Sequence, residues 1–294
     1  MLKLFKNRNL VLSLSLVLGF LISDIAQYTK SLTIPSLVVI MTLSLTDISN
    51  KNMLDWRKLP KPLALGTLMC YFVLGSLILI LTYLFVPEIK LRTGMILVAA
   101  GPPGAAVIPF AAILSGNLFL ALLASFGAYL AALIITPLLL LLVPEAKTFP
   151  FSFLLLNLFY LIILPILVSR VLLLKKIDTI IRPIKDYIIN WSFFVFIFNL
   201  IGLNKNIFLK NFNDLFLIMV IALLTTFPLF YLLQFLFKKF GIKEDEAITL
   251  ILLGTIKNSA FSSALALLLF DQVASLPGAI FTTVYALFMV WIGR

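Results

Sequence analysis

The sequence predicts an all-α, polytopic membrane protein of ten transmembrane helices, arranged as two inverted five-helix repeats. Three observations predict it: the hydropathy of the chain, the side on which its Lys and Arg fall, and a matched pair of polar interruptions. Of 294 residues, 62% are hydrophobic and only 12% charged, about half the charged share of an ordinary soluble domain. Mean hydropathy is +1.16. A water-soluble fold of this length cannot bury so much apolar surface, so lipid must be the solvent for most of it.

Apolar runs near the roughly 20 residues that cross a bilayer follow one another along the chain. The first two cover 10–26 and 32–46, the third 62–86, the fourth 91–114 and the fifth 118–143. The sixth to eighth cover 149–173, 184–203 and 215–237, the ninth 247–270 and the tenth 274–292. The start, MLKLFKNRN, is basic but leads to no small-residue cleavage site, so a cleavable signal peptide is not expected.

With ten spans, both termini share one side. Sixteen of the 23 Lys and Arg fall on that side, six on the other, and Lys257 is left inside span nine. That asymmetry supports the count and places both termini in the cytoplasm of a bacterial inner membrane. The net charge of +11 then belongs to loops facing anionic lipid headgroups, with no nucleic-acid partner expected. Glu244, Asp245 and Glu246 open span nine, where carboxylates suit a helix N-terminus.

The two halves, 1–143 and 144–294, look like copies. Gly101 interrupts span four and Gly254 interrupts span nine, while Gly116-Asn117 and Asp271-Gln272 open the links to spans five and ten. Five spans is an odd number, so the second copy is inverted, an architecture common in secondary transporters.

Span four contains Gly101-Pro102-Pro103-Gly104. Two adjacent prolines supply no N–H, so a continuous helix is not expected there. Backbone freed at membrane depth is tolerated only where protein or a water-filled cavity satisfies it. Span nine carries Gly254, Thr255, Lys257, Asn258 and Ser259 at its centre. A lysine there costs on the order of 3 kcal/mol on insertion scales. It must face the bundle interior or an aqueous cavity, bound to carbonyls of the broken helices or meeting an anion. Every acidic residue lies in a loop or near a span end, so a substrate can supply the missing negative charge. A half-helix N-terminus beginning near Lys257 adds its dipole to such a site. The expected substrate-binding set is therefore Lys257, Asn258, Ser259 and Thr255, with the backbone of Gly101, Pro102, Pro103 and Gly104.

These two segments resemble the bile acid:sodium symporter family. The resemblance rests on residues 101–139, GPPGAAVIPFAAILSGNLFLALLASFGAYLAALIITPLL, and on 257–281, KNSAFSSALALLLFDQVASLPGAIF. It implies a panel domain of spans one, two, six and seven, and a core domain of spans three, four, five, eight, nine and ten. Spans four and nine then cross at the substrate. The resemblance also implies two sodium sites, but at their positions this chain has Val107, Ile108, Ala128, Tyr129 and Leu253. Hard cations need oxygen ligands, so neither site is expected to survive, and the Lys257 charge stands where sodium charge stood. Proton coupling or uncoupled transport is then expected in place of sodium symport.

Zero histidines and a single cysteine, Cys70, exclude a disulfide framework and a thiolate metal cluster, and remove most hydrolase and metalloenzyme mechanisms. Neither Gly-x-Ser-x-Gly nor paired intramembrane aspartates occur, so no enzyme and no cofactor or metal is expected. The leading function is a secondary transporter of a small organic anion, most simply a carboxylate, by alternating access. The alternative is a non-coupled channel, sensor or lipid-handling protein on the same fold.

Overall fold

The computed structural model describes residues 8–46, 60–143, 152, 155–156, 159–210 and 212–293. The expected boundary at 143/144, the loop bearing Lys51, Arg57 and Lys58, and most of the start of span six lie outside them.

Among the described residues, thirteen helices follow in order. They are α1 (Arg8–Leu21), α2 (Asp24–Leu45, with a 3-10 turn at Lys30–Leu32), α3 (Pro60–Phe85), α4 (Ile89–Ala100) and α5 (Val107–Ile113). Next come α6 (Leu118–Leu140), α7 (Phe159–Leu172), α8 (Lys175–Ile181), α9 (Lys185–Lys210) and α10 (Phe212–Lys239). The last are α11 (Glu244–Leu253), α12 (Ser259–Leu269) and α13 (Gln272–Ile292). Six of them, α2, α3, α6, α9, α10 and α13, are long and apolar enough to cross a membrane by themselves. The others are shorter: α4 with α5, and α11 with α12, are the two interrupted spans.

Local chemistry sets the helix ends. Asn117 Oδ1 accepts the Leu120 N–H at 2.9 Å and starts α6; Asp271 Oδ1 accepts the Ala274 N–H at 2.9 Å and starts α13. Glu88 does the same for α4 through the Leu91 N–H at 2.6 Å. The three acids of Glu244–Glu246 form the first turn of α11. Pro109 sits in the first turn of α5, where an N–H has no helical acceptor to lose, so it does not kink the helix. At the α5–α6 turn Ser115 adopts φ 60°, and the Gly116 N–H closes back on the Ala111 carbonyl at 2.7 Å.

Two span limits differ from the sequence reading. The first turn falls at Ile22-Ser23, and α2 already begins at Asp24. Hydropathy runs on to Ala26 and so hides the turn. At the other end, α9 continues past Leu203 to Lys210, because polar residues in a final helical turn are compatible with helix though not with hydrocarbon.

The helices pack in two groups. In one, α9 lies against α1 and α2, and α7 against α2. In the other, α3 packs on α6, α4 on α13, α12 on α13 and α4, and α10 on α13. The groups meet where α9 and α1 touch α13, and α2 touches α5. Small residues make the tightest seams. A Cβ on Gly66 of α3 would coincide with the Ala124 backbone of α6, and one on Gly127 would lie 2.6 Å from Leu63 Cα. Such close backbone approach is how membrane helices gain packing energy without a hydrophobic drive between them. Lys90 Nζ, in the first turn of α4, pairs with Asp271 at the start of α13 at 2.7 Å. That hydrogen bond first, and the Ala274 N–H second, hold the Asp271 carboxyl below its ordinary range.

Gly66→Val should destabilise the protein by about 1–3 kcal/mol through overpacking, read as loss of folded fraction in a denaturant titration in detergent. The Asp271 contribution should be complete at neutral pH and fade as the pH falls below about 4, through its depressed folded value. Asp271→Asn, which retains a capping oxygen, should flatten that acid-side slope in thermal melts.

Candidate functional site

The site begins with a deficit of donors. In a continuous helix the carbonyls of Val98 and Ala99 would accept from residues 102 and 103, both prolines. The chain turns extended at Gly101, with ψ 148°, whose own N–H reaches back to Leu97 at 3.0 Å and Val98 at 3.2 Å. Ala99 is satisfied from across the molecule: Lys257 Nζ donates to its carbonyl at 2.8 Å and to that of Gly101 at 2.9 Å. The Thr136 hydroxyl of α6 donates to Ala100 at 2.8 Å. The opposite break and α6 thus supply side-chain donors to the turn that Pro102 and Pro103 leave without them.

The two breaks also pair with each other. Gly104 N–H donates to Ile256 at 3.0 Å and Asn258 N–H to Pro102 at 2.8 Å, making an antiparallel bridge between Pro103 and Lys257. A Cβ on Gly104 would lie 2.6 Å from Ile256 Cγ2 and 3.1 Å from the Lys257 carbonyl, so only glycine permits this approach. Thr255 is buried, and its hydroxyl returns to Ile251 at 2.7 Å, closing the end of α11.

Lys257 is 1% exposed. Its ammonium lies 4.2 Å from the centroid of the Tyr71 ring, beside Cys70, and at the carbonyl end of α4. The aromatic face and the negative pole of a helix both favour a cation. Among the described residues no carboxylate pairs with it. Of the two partners the sequence left open, carbonyls and an anion, the structure places carbonyls on the ammonium.

Asn258 and Ser259 build the restart. Asn258 Oδ1 accepts the Phe261 N–H at 3.1 Å and so caps α12, while its amide donates to the Tyr129 hydroxyl at 2.9 Å. Ser259 Oγ bonds Thr282 Oγ1 at 2.9 Å. The first-turn N–H groups of Ser259 and Ala260 have no intrahelical acceptor. Both residues line a cavity of about 210 Å³ whose wall also includes Gly104, Lys257 and Asn258. Gly101, Pro102, Pro103 and Thr255 belong to the break but not to that wall. Its other lining residues include Thr33 and Leu37 of α2, Phe196 of α9, and Tyr285 and Met289 of α13. The sequence reading missed these five. They lie on long helices with no motif, and nothing in the residue order marks them.

At the expected sodium positions, Val107, Ile108, Ala128 and Leu253 are buried and apolar, and Tyr129 offers the one side-chain oxygen, already bonded to Asn258. Hard cations take oxygen ligands, and these five side chains offer one oxygen between them.

Apolar helices meeting at two paired interruptions, over a cavity shared by two helix groups, define a multi-pass membrane protein. The sequence matches the sodium bile acid symporter family over residues 34–211, more than half of the chain, and the protein belongs to that family. No curated protein matches the chain.

Thr136→Val, nearly isosteric, should cost about 1–3 kcal/mol by leaving the Ala100 carbonyl unpaired in the interior. Thermal melts in detergent would show this, and a melt equal to wild type would mean another donor reaches that carbonyl.

Proposed function

We propose that this protein is a secondary transporter of a small organic anion that works by alternating access and does not couple to sodium. The single observation that carries the reading is the cavity at the paired breaks, walled by both helix groups and facing the N-terminus of α12. First-turn N–H groups and the positive pole of an 11-residue helix attract an anion. The volume, roughly seven waters' worth, suits a small carboxylate. The apolar majority of the wall suits a short hydrocarbon body.

On this reading, α1, α2, α7 and α9 form the panel, and the other group is the core. The helices α1 and α7 and the pairs α4–α5 and α11–α12 complete ten crossings as two inverted repeats, with the termini cytoplasmic. On the side of the termini Phe110 of α5 meets Phe193 of α9 edge to face, with centroids 5.1 Å apart, and Leu12 approaches Gly293. These contacts close the seam between the groups there, while Ile34, 57% exposed, rims the cavity toward the opposite side. Alternation exchanges the closed seam for the open one. The absence of sodium coupling is supported by the apolar residues at Val107, Ile108, Ala128 and Leu253. Proton coupling or downhill exchange remains for the cycle.

Counterflow of labelled short-chain carboxylates in proteoliposomes tests this. Uptake should persist when sodium is replaced by N-methylglucamine. Ser259→Pro removes one N–H from the cavity at a position where helices accept proline. It should weaken anion affinity about tenfold, the size of one charge-assisted hydrogen bond, relative to Ser259→Ala, which loses the same Thr282 hydrogen bond but keeps the N–H. Binding without counterflow would instead identify a sensor on the same fold.

A further inference from the structure

A second cavity lies away from the crossover, an open groove of about 660 Å³ along the seam of α3 and α6. Ala64 and Gly127, with little or no side chain, leave room that Leu68, Phe72 and Leu130 border. These three are 48%, 66% and 40% exposed, so the groove opens outward, into what is hydrocarbon in a membrane. Two polar side chains line it. Thr67 donates its hydroxyl to the Leu63 carbonyl of its own helix at 3.1 Å. Lys61, in the first turn of α3, is exposed, and among the described residues no carboxylate pairs with it.

Length and charge together fix the kind of ligand. Residues 61–72 rise about 16 Å along a helix, and half of a hydrocarbon core about 30 Å thick is about 15 Å. An apolar groove one leaflet deep, with a cation at its end, fits one phospholipid molecule. The positive pole of α3 lies at the same end. On the topology expected from the Lys and Arg distribution, that end meets the cytoplasmic leaflet, whose surface is anionic. The groove also borders an irregular stretch, since Leu68–Gly75 of α3 is π-helical. Such turns are rare and collect at functional sites. Leu68 and Phe72 of this stretch line the groove, while its Tyr71 and Gly75 lie against Lys257. A ligand in the groove therefore bears on the segment that backs the crossover.

We propose that this groove is a binding site for one anionic phospholipid, with the phosphate at Lys61 and one acyl chain along Leu68, Phe72 and Leu130. The site is separate from the cavity at the breaks, and its occupancy is read without any transported substrate.

Native mass spectrometry of the full chain in detergent, with phosphatidylglycerol or phosphatidylcholine of matched chains, tests this. Wild type should retain one phosphatidylglycerol about fivefold more tightly than phosphatidylcholine, the factor expected for one lysine at an anionic headgroup. Lys61→Gln should lose that preference, and Lys61→Arg should keep it. Ala64→Phe, which fills the groove, should lower retention of both lipids. Lys238→Gln, in the last turn of α10, should leave both unchanged. Equal retention of the two lipids by wild type, an undiminished preference in Lys61→Gln, or a loss in Lys238→Gln as large as that in Lys61→Gln would each overturn the site. So would a dimer in detergent that Ala64→Phe abolishes, because a second copy of the chain would then fill the groove.

Discussion

The structure depends on one item of backbone accounting: two prolines in the middle of a membrane helix remove the donors for Val98 and Ala99, and hydrocarbon offers no replacement. An unsatisfied backbone group in that medium costs several kcal/mol, so Gly101–Gly104 can exist at depth only if protein donors converge on it. They come from α3, α6 and the break after α11, as Cys70, Thr136 and Lys257 with the Asn258 N–H. Packing follows from that convergence. The seams of α3 on α6 and of α4 on α13 place these donors, and Gly66, Gly94 and Gly127 are small because the seams must be tight enough for a hydroxyl or ammonium to reach.

The same accounting explains how a lysine is tolerated without a carboxylate. Burying an ammonium is costly unless it is hydrogen-bonded and electrostatically compensated. Here compensation is made of dipoles: two carbonyls, the negative end of a 12-residue helix and a ring face. Lysine and proline pair therefore solve each other's problem, the cation lacking an anion and the carbonyls lacking donors. One consequence reaches the cavity. The ammonium is engaged by the break, and the other polar residues of the cavity wall, those at the start of α12 among them, are neutral.

Much of this was legible in residue order, and the reasons differ by feature. Pro102-Pro103 and the polar run around Gly254–Ser259 announce interruptions because proline chemistry and burial cost are local properties. The N-caps Asn117 and Asp271, and the acidic start of α11, are local too. The depth of Lys257 was readable from its distance to the span ends. Its partner was not, because Ala99 and Gly101 are carbonyls, and every residue carries a carbonyl. Nor did the sequence mark Thr33, Phe196 or Tyr285 as cavity wall, since a helix side chain shows its neighbour only once two helices far apart in sequence are packed. The turn at Ile22-Ser23 escaped because hydropathy is continuous across it.

A tethered cation has a thermodynamic consequence for the proposed cycle. An ion that enters with substrate and leaves on the other side can draw on its gradient, whereas an ammonium covalently fixed at Lys257 returns unchanged and contributes no gradient energy. It can still hold the two breaks together through every conformation, which is the structural half of what a bound ion does. The driving force must then come from the substrate's own gradient, from exchange, or from a proton. The titratable side chains gathered at the crossover are Lys257, Cys70, Tyr71, Tyr129 and Tyr285, with no carboxylate or imidazole among them. Of these, Lys257 is the one that the Ala99 and Gly101 carbonyls accept hydrogen bonds from. On the transport reading proposed above, such a crossover suits equilibrating an organic anion, or swapping one for another.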